Sequence, residues 1–294
     1  MSLRDKGTLL LVLGLCALSP APVYAWGETG HRVICQIAYD ELQPAAREEL
    51  DRLIARDSDF ENFAESCLFA DTPERIRWQD HFVNLPRSAQ AITTLDCPLA
   101  ETCVLPAIRS DFLIVLDPDS TDDEKWLAIK LLGHWVGDVH QPLHVSFQDD
   151  RGANSNIVDS DIAQEFRYDE LSLHGVWDYT IIANSLGDDF VKIAAELGGA
   201  ITEQQKDAWQ FDSPIEWANE SYQVTIAPET GYCVQKQGAC WYSSNNMMLD
   251  DNEPWHTLKI DNEYLRRHAP LVQKRLQQAG IRLAQILNQS LIRK

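Results

Sequence analysis

Apolar residues recur at three- and four-residue spacing through most of this chain, the period of helices with a buried face. The strongest stretch runs from Trp126 to His144, where Leu127, Leu131, Leu132 and Trp135 form one apolar stripe. Thr121 precedes it as a capping residue. Asp122, Asp123 and Glu124 follow in the first turn, where the helix dipole favours acids. Pro142 ends it, because a proline disfavours helix at the residue before it. The same spacing predicts helices over about His31–Leu42, Pro44–Ala55, Phe60–Phe69, Ala107–Leu116, His174–Asn184, Phe190–Leu197, Glu203–Trp209 and Ile215–Val224. A C-terminal helix is expected over about Lys259–Leu291, with a break at Gly280. Phe82–Pro86 reads as extended, 88–104 as a loop, Asp149–Ser160 as a loop or small hairpin, and 229–257 as irregular. The pattern holds no repeat and no linker, so the expectation is a mainly α, single-domain fold.

Charge changes this picture. The chain has 294 residues, enough for a substantial core, and a formal net charge of −20. Such a surface repels nucleic acid and anionic membrane at long range. A polyanionic substrate would therefore need local positive charge, which bound metal ions supply. The N-terminus has basic Arg4 and Lys6, then an apolar run, Leu9–Leu18, too short to span a bilayer. Val23 and Ala25 offer small residues where a signal peptidase needs them. Residues 1–25 are thus expected to be a secretory signal peptide and 26–294 the mature domain, secreted or periplasmic, with no membrane anchor once the signal is removed. Of the seven cysteines, Cys16 leaves with the signal. An even remainder in an exported chain reads as disulfides. Cys97–Cys103 and Cys233–Cys240 would close small loops, which leaves Cys35–Cys67.

Histidine and aspartate placement suggests chemistry. His134 and Asp138 are four apart and share a helix face; His140 and His144 follow. His174 and Asp178 repeat the spacing, and Asp71 and His81 lie upstream. One buried histidine is ordinarily a hydrogen-bonded core residue, but repetition in one chain points to metal. The candidate ligands are His31, Asp71, His81, His134, Asp138, His144, His174 and Asp178. That is too many for one zinc and suits a cluster with a bridging carboxylate. Calcium would take more oxygens and no histidine. Cleavage before Trp26 would add one more ligand, a free α-amine with a pKa of about 7.7–8.0, which could chelate zinc with its own carbonyl.

These residues carry a resemblance. Trp26-Gly27-x-x-Gly30-His31, Phe69-Ala70-Asp71, His81-Phe82-Val83-Asn84, His134-x-x-x-Asp138-x-His140-Gln141-Pro142-Leu143-His144, Asp150-Arg151-Gly152-x-Asn154 and His174-x-x-x-Trp177-Asp178 resemble, in order, the secreted zinc-dependent S1/P1 nucleases of fungi and plants. The resemblance implies the mainly α phospholipase C/P1 nuclease fold with a trinuclear zinc cluster. Asp71, His81, His134 and Asp138 would hold one ion. Trp26, His31 and the bridging Asp138 would hold its neighbour, and His144, His174 and Asp178 the third. His140 falls outside this set. Asp71 would orient the attacking water. Phe82 would stack on a base, and Asn84 and Asn154 would contact the substrate. A basic residue expected three after Asp71 is replaced by Glu74, with Arg75 one later as the substitute phosphate contact. Ala153 stands where a second glycine is usual.

The implied activity is hydrolysis of single-stranded DNA and RNA to 5′-phosphate products, with 3′-nucleotidase activity on 3′-nucleotides, by a monomer. Two alternatives stand beside it: a zinc-dependent phospholipase C on the same fold, and a non-catalytic exported zinc-binding protein. Asn219-Glu220-Ser221 and Asn288-Gln289-Ser290 are glycosylation sequons, relevant in a eukaryotic host.

Overall fold

The computed structural model describes residues 26–72, 75–162, 171–210, 213–236, 239–241 and 258–292. The expected signal peptide, Cys16 and Glu74 lie outside the described residues. In chain order the helices are α1 (Gly27–Asp40), α2 (Pro44–Ile54), α3 (Phe63–Ser66), α4 (Val104–Leu116), α5 (Asp122–His140), α6 (Leu173–Gly175), α7 (Ile181–Ser185), α8 (Phe190–Gly199), α9 (Glu203–Gln210), α10 (Pro214–Thr225) and α11 (Asn262–Leu291). Short strands are β1 (Val83–Leu85), β2 (Val145–Phe147), β3 (Asp159–Ser160), β4 (Val234–Lys236), β5 (Ala239–Trp241) and β6 (Lys259–Ile260). The protein is mainly helical, as its periodicity predicts.

Helix α5 is the axis of the fold. Thr121 and Glu124 form a capping box at its start, each satisfying a backbone N–H of the other. At its end Gln141 is extended (φ −78°, ψ 117°), the conformation Pro142 imposes on the residue before it. The expected single stripe is a correction. Leu127 is 43% exposed, while every residue from Ala128 to His140 is buried. From Ala128 onward the helix is enclosed on all sides and has no polar face to offer water. His134, Asp138 and His140 must therefore find partners inside the protein.

Helix α11 also departs from expectation. It runs unbroken through Gly280. A Cβ there would lie 2.5 Å from Ile37 Cγ2, so glycine lets α11 press against α1. Close packing, not a chain break, accounts for the residue. The helix expected over Phe60–Phe69 shrinks to α3 and a 3₁₀ turn at Phe69–Asp71. Asn62 caps α3 by accepting from the Glu65 N–H, starting it later than the apolar pattern suggests. Residues 149–160 form turns rather than a hairpin, because β3 pairs in parallel with the distant β6. The segment expected to be irregular contains the antiparallel pair β4–β5. All three disulfides match the expected pairing: Cys35–Cys67, Cys97–Cys103 and Cys233–Cys240, with Cα separations of 6.7, 5.8 and 5.2 Å. No helix among the described residues is long and apolar enough to cross a membrane.

Candidate metal centre and substrate cleft

Local structure delivers each candidate ligand to one place. Asp71 ends the 3₁₀ turn after α3, and His81 ends another at Trp78–His81. His134 and Asp138 come from α5, and His31 from α1. His144 follows the Pro142 break. His174 begins α6, and Asp178 lies in a π-helical turn, Val176–Thr180, that continues it. Parallel pairing of β1 with β2, Val83 opposite Val145, joins the segments after His81 and His144. The bond from His144 Nδ1 to the His81 carbonyl, 2.6 Å, fixes the same juxtaposition.

Three groups of ligand atoms result: Asp71, His81 and His134; His31, His134 and Asp138; and His144, His174 and Asp178. Asp138 lies between the first two, with Oδ1 3.4 Å from His31 Nε2 and Oδ2 3.1 Å from His81 Nδ1 and 3.4 Å from His134 Nε2. In the third group His174 Nε2 is 3.2 Å from His144 Nε2 and 3.3 Å from Asp178 Oδ2. The histidines are oriented by carbonyls behind them. His134 Nδ1 bonds Cys67 O at 2.8 Å, His81 Nε2 bonds Ile76 O at 3.1 Å, and His174 Nδ1 bonds Gly152 O at 2.6 Å. This leaves the other ring nitrogen of each facing the carboxylates, the arrangement that prepares imidazole for a metal.

The carboxylates are electrostatically incomplete. Both oxygens of Asp71 and Asp138, and Oδ2 of Asp178, are buried and accept no hydrogen bond. Burial pushes the Asp71 carboxyl well above its usual range; Arg75 opposes this and Asp138 adds to it. Burial likewise raises Asp138 to about 6. Burial holds His81, His134 and His144 below the usual imidazole range, so they do not supply the missing positive charge. His174 is the exception: burial opposes its charge, but Asp178 outweighs burial and raises it. Neutral imidazoles around buried, unsatisfied carboxylates form a donor set that fits divalent cations, and mixed N/O donors suit zinc.

Trp26 lies against the same centre. Its backbone N–H donates to Asp178 Oδ1 at 3.3 Å, and its indole N–H donates to Gly137 O at 2.9 Å. His140 faces elsewhere. Its Nδ1–H donates to Val136 O at 2.7 Å and its Nε2 accepts from Arg282 at 2.8 Å, which explains its exclusion from the ligand groups.

A cleft with about 200 Å³ of open space adjoins the third group. Arg75, Phe82, Asn84 and Asn154, the four expected substrate contacts, line it together with His144 and His174. Arg75 Nε lies 3.2 Å from Asp71 Oδ1, at ion-pair distance but without hydrogen-bond geometry. The loop bearing Asn154 is pinned from below. Buried Asp150 accepts from Ala153 N–H (3.0 Å), Asn156 (3.1 Å), Arg87 (2.9 Å) and Tyr232 (2.7 Å). Gly152 takes φ +63°, and a Cβ there would meet Leu143 O at 2.6 Å, so the turn requires glycine.

A profile of the S1/P1 nuclease family matches residues 26–292. The chain belongs to this family. Similar proteins include Endonuclease 2 of Arabidopsis thaliana, 27% identical over 97% of this chain and 98% of that protein. Endonuclease 5 of the same plant is 28% identical over 90% of this chain and 89% of its own length. Nuclease S1 of Aspergillus oryzae is 24% identical over 94% and 95%.

Within this S1/P1 member, sequence reasoning missed several supporting residues. Gln141 donates to Asp178 Oδ1 at 2.5 Å and accepts from Leu143 N–H at 2.5 Å, tying the α5 exit to the third ligand group. Arg77 pairs with Asp80 (2.6 Å) and Asp111 (2.7 Å), anchoring the turn that carries His81. Trp78 lines the cleft beside Phe82. Periodicity signalled none of these, because each acts through contacts distant in sequence or through exposure.

Proposed function

We propose that this chain is an exported, zinc-dependent endonuclease that hydrolyses single-stranded DNA and RNA to 5′-phosphate products, with 3′-nucleotidase activity. The observation that carries the reading is the adjacency of the His144–His174–Asp178 group to a cleft lined by Arg75, Phe82, Asn84 and Asn154. Family membership and nuclease-named relatives support the same reading.

Asp71, His81, His134 and Asp138 would hold one zinc, Trp26, His31 and Asp138 a second, and His144, His174 and Asp178 a third. Zinc bound there supplies Lewis acidity and lowers the pKa of water toward ~7. The chain's own residues do the rest. Asp71 accepts a hydrogen bond from the attacking water and so orients it. Arg75 offers its guanidinium to the phosphate. Phe82 stacks a base, while Asn84 and Asn154 bond the substrate edge and backbone. Stacking on Phe82 requires a base free of its duplex neighbours, which favours single strands.

Export through residues 1–25 belongs to this reading and is supported by the three disulfides. Removal of that segment would free the Trp26 amine as a ligand. Its backbone nitrogen already lies 3.3 Å from Asp178. One extra residue before Trp26 should then lower zinc content and activity; full values for both would refute the Trp26 assignment.

The test is incubation of protein beginning at Trp26 with single-stranded DNA, RNA and phosphatidylcholine vesicles, with and without chelator. Chelator-sensitive release of 5′-mononucleotides is expected. Lipid cleavage without nucleotide release would overturn the reading, as would bound zinc without turnover.

A further inference from the structure

Trp78 is 53% exposed, the only aromatic among the large apolar side chains exposed in the described residues. Leaving a tryptophan in water forfeits the burial that ordinarily retains it. The side chain is nevertheless held in a defined place. Arg77, in the left-handed region at φ 52°, anchors the turn through Asp80 and Asp111. The Arg75 guanidinium lies 4.5 Å from the Trp78 ring centroid. Phe82 meets Trp78 edge to face, with centroids 5.7 Å apart and planes at 77°. Both rings line the cleft that reaches His144 and His174.

We propose that Trp78 is a second base platform, receiving the nucleotide next to the one stacked on Phe82. The proposal rests on the nuclease reading and deepens it by assigning a binding subsite. The angle between the rings supplies a physical consequence. Adjacent bases in a duplex lie parallel, whereas bases resting on these two platforms are turned steeply from one another. A step that engages both must first unstack, which a single strand does at low cost and a duplex does not. Arg75 covers one ring face and pairs with Asp71, so its cation lies between the Trp78 subsite and the first ligand group. A phosphate joining two splayed nucleotides would find positive charge there in an otherwise acidic protein.

The test compares wild type with Trp78→Ala and Trp78→Phe. Binding of the slowly cleaved dithymidine phosphorothioate and of thymidine 5′-phosphate is measured by calorimetry on metal-free and metal-loaded protein. Zinc content serves as the check on folding. Trp78→Ala should weaken the dinucleotide about tenfold, the scale of one lost base–aromatic stack. That loss should exceed the loss on the mononucleotide by about fivefold or more, and Trp78→Phe should recover most of it. Steady-state cleavage of oligothymidylate should show the loss in KM rather than in kcat. Equal losses on both ligands would overturn the proposal, since Trp78 would then act only by supporting Arg75. No loss on either would overturn it too. Failure of the nuclease reading is separable: it is wild-type protein that cleaves no single-stranded oligonucleotide, whatever the variants bind.

Discussion

His134 and His140 stand on the same buried helix, but their surroundings differ in one respect. Around His140 the protein completes both of the imidazole's bonds itself. Glu220 takes Arg282 in a fork (2.6 and 2.9 Å) and also receives Arg275. Arg275 donates onward to His140 O (3.1 Å) and Ser221 (2.7 Å), and Ser221 donates to Val139 O (2.5 Å). Carbonyls at the α5 terminus are thereby satisfied by side chains from α10 and α11. Around His134 the carboxylates of Asp71 and Asp138 accept nothing. A closed polar cluster is architecture, whereas an open one of matched donors awaits cations.

The comparison breaks first at Asp138. Asp138→Asn should lose bound metal and reduce turnover by more than the ~10–100-fold expected of a supporting residue. Metal analysis and single-strand cleavage measure both; retention of full metal would mean that Asp138 does not hold it. In the closed cluster the loss should instead be one of stability. Glu220→Gln leaves two buried arginines without their anion. It should cost ~2–3 kcal/mol, less than a fully buried pair because the Glu220 side chain is 35% exposed. Its metal content should match wild type. Denaturant unfolding and metal analysis of the one variant read both.

Gln141→Ala removes the side chain that orients Asp178 and should weaken metal at the third group by ~10-fold or more, read by competition with a chelator. The pH response should then separate the clusters by sign. Unfolded aspartate titrates near 3.8, but Asp138 in the metal-free fold titrates at about 6. Its protonation favours the metal-free fold, an advantage complete below 3.8 and lost as pH rises through about 6. Glu220 behaves oppositely. Burial acts to raise its carboxyl, but Arg282 and Arg275 outweigh burial and hold it below 4.5. Its contribution is complete above 4.5 and lost as pH falls through its lowered value. For metal-free protein, the gain of Asp138→Asn over wild type should therefore grow with pH between 3.8 and about 6. The deficit of Glu220→Gln should shrink below 4.5.

The smallest effect concerns the sequons. Asn219 donates to Ile92 O (2.8 Å) and Ile215 O (3.0 Å), and Ser221 is buried. Asn288 bonds Glu41 O (3.3 Å) and Gln43 N–H (2.8 Å). A glycan added to the nascent chain at either amide would break these bonds, so the protein recovered folded from a glycosylating host should show no glycan at either position by intact mass.

Much of the fold was legible because helices are local. The Thr121 cap and the Pro142 stop bound α5 in sequence as they do in space. The ligand residues were legible because His-x-x-x-Asp spacing on a helix puts both side chains on one face. Leu127 shows the limit: periodicity marked it as part of the buried stripe, yet it is exposed. Beyond Leu127 the helix is enclosed on all sides and has no stripe to read. Gly280 shows another, since a glycine that ends a helix and one that admits a neighbour look alike until Ile37 is in place.

The sequence by itself determined which residues are able to bind metal and that the chain is mainly helical, because spacing along the backbone fixes helical faces. Only the tertiary structure decided that Asp138 lies between His31 and His81, that His140 belongs to Arg282, and that Trp78 faces the cleft. Each of these depends on which distant segments meet, and on whether a buried polar atom finds its partner there.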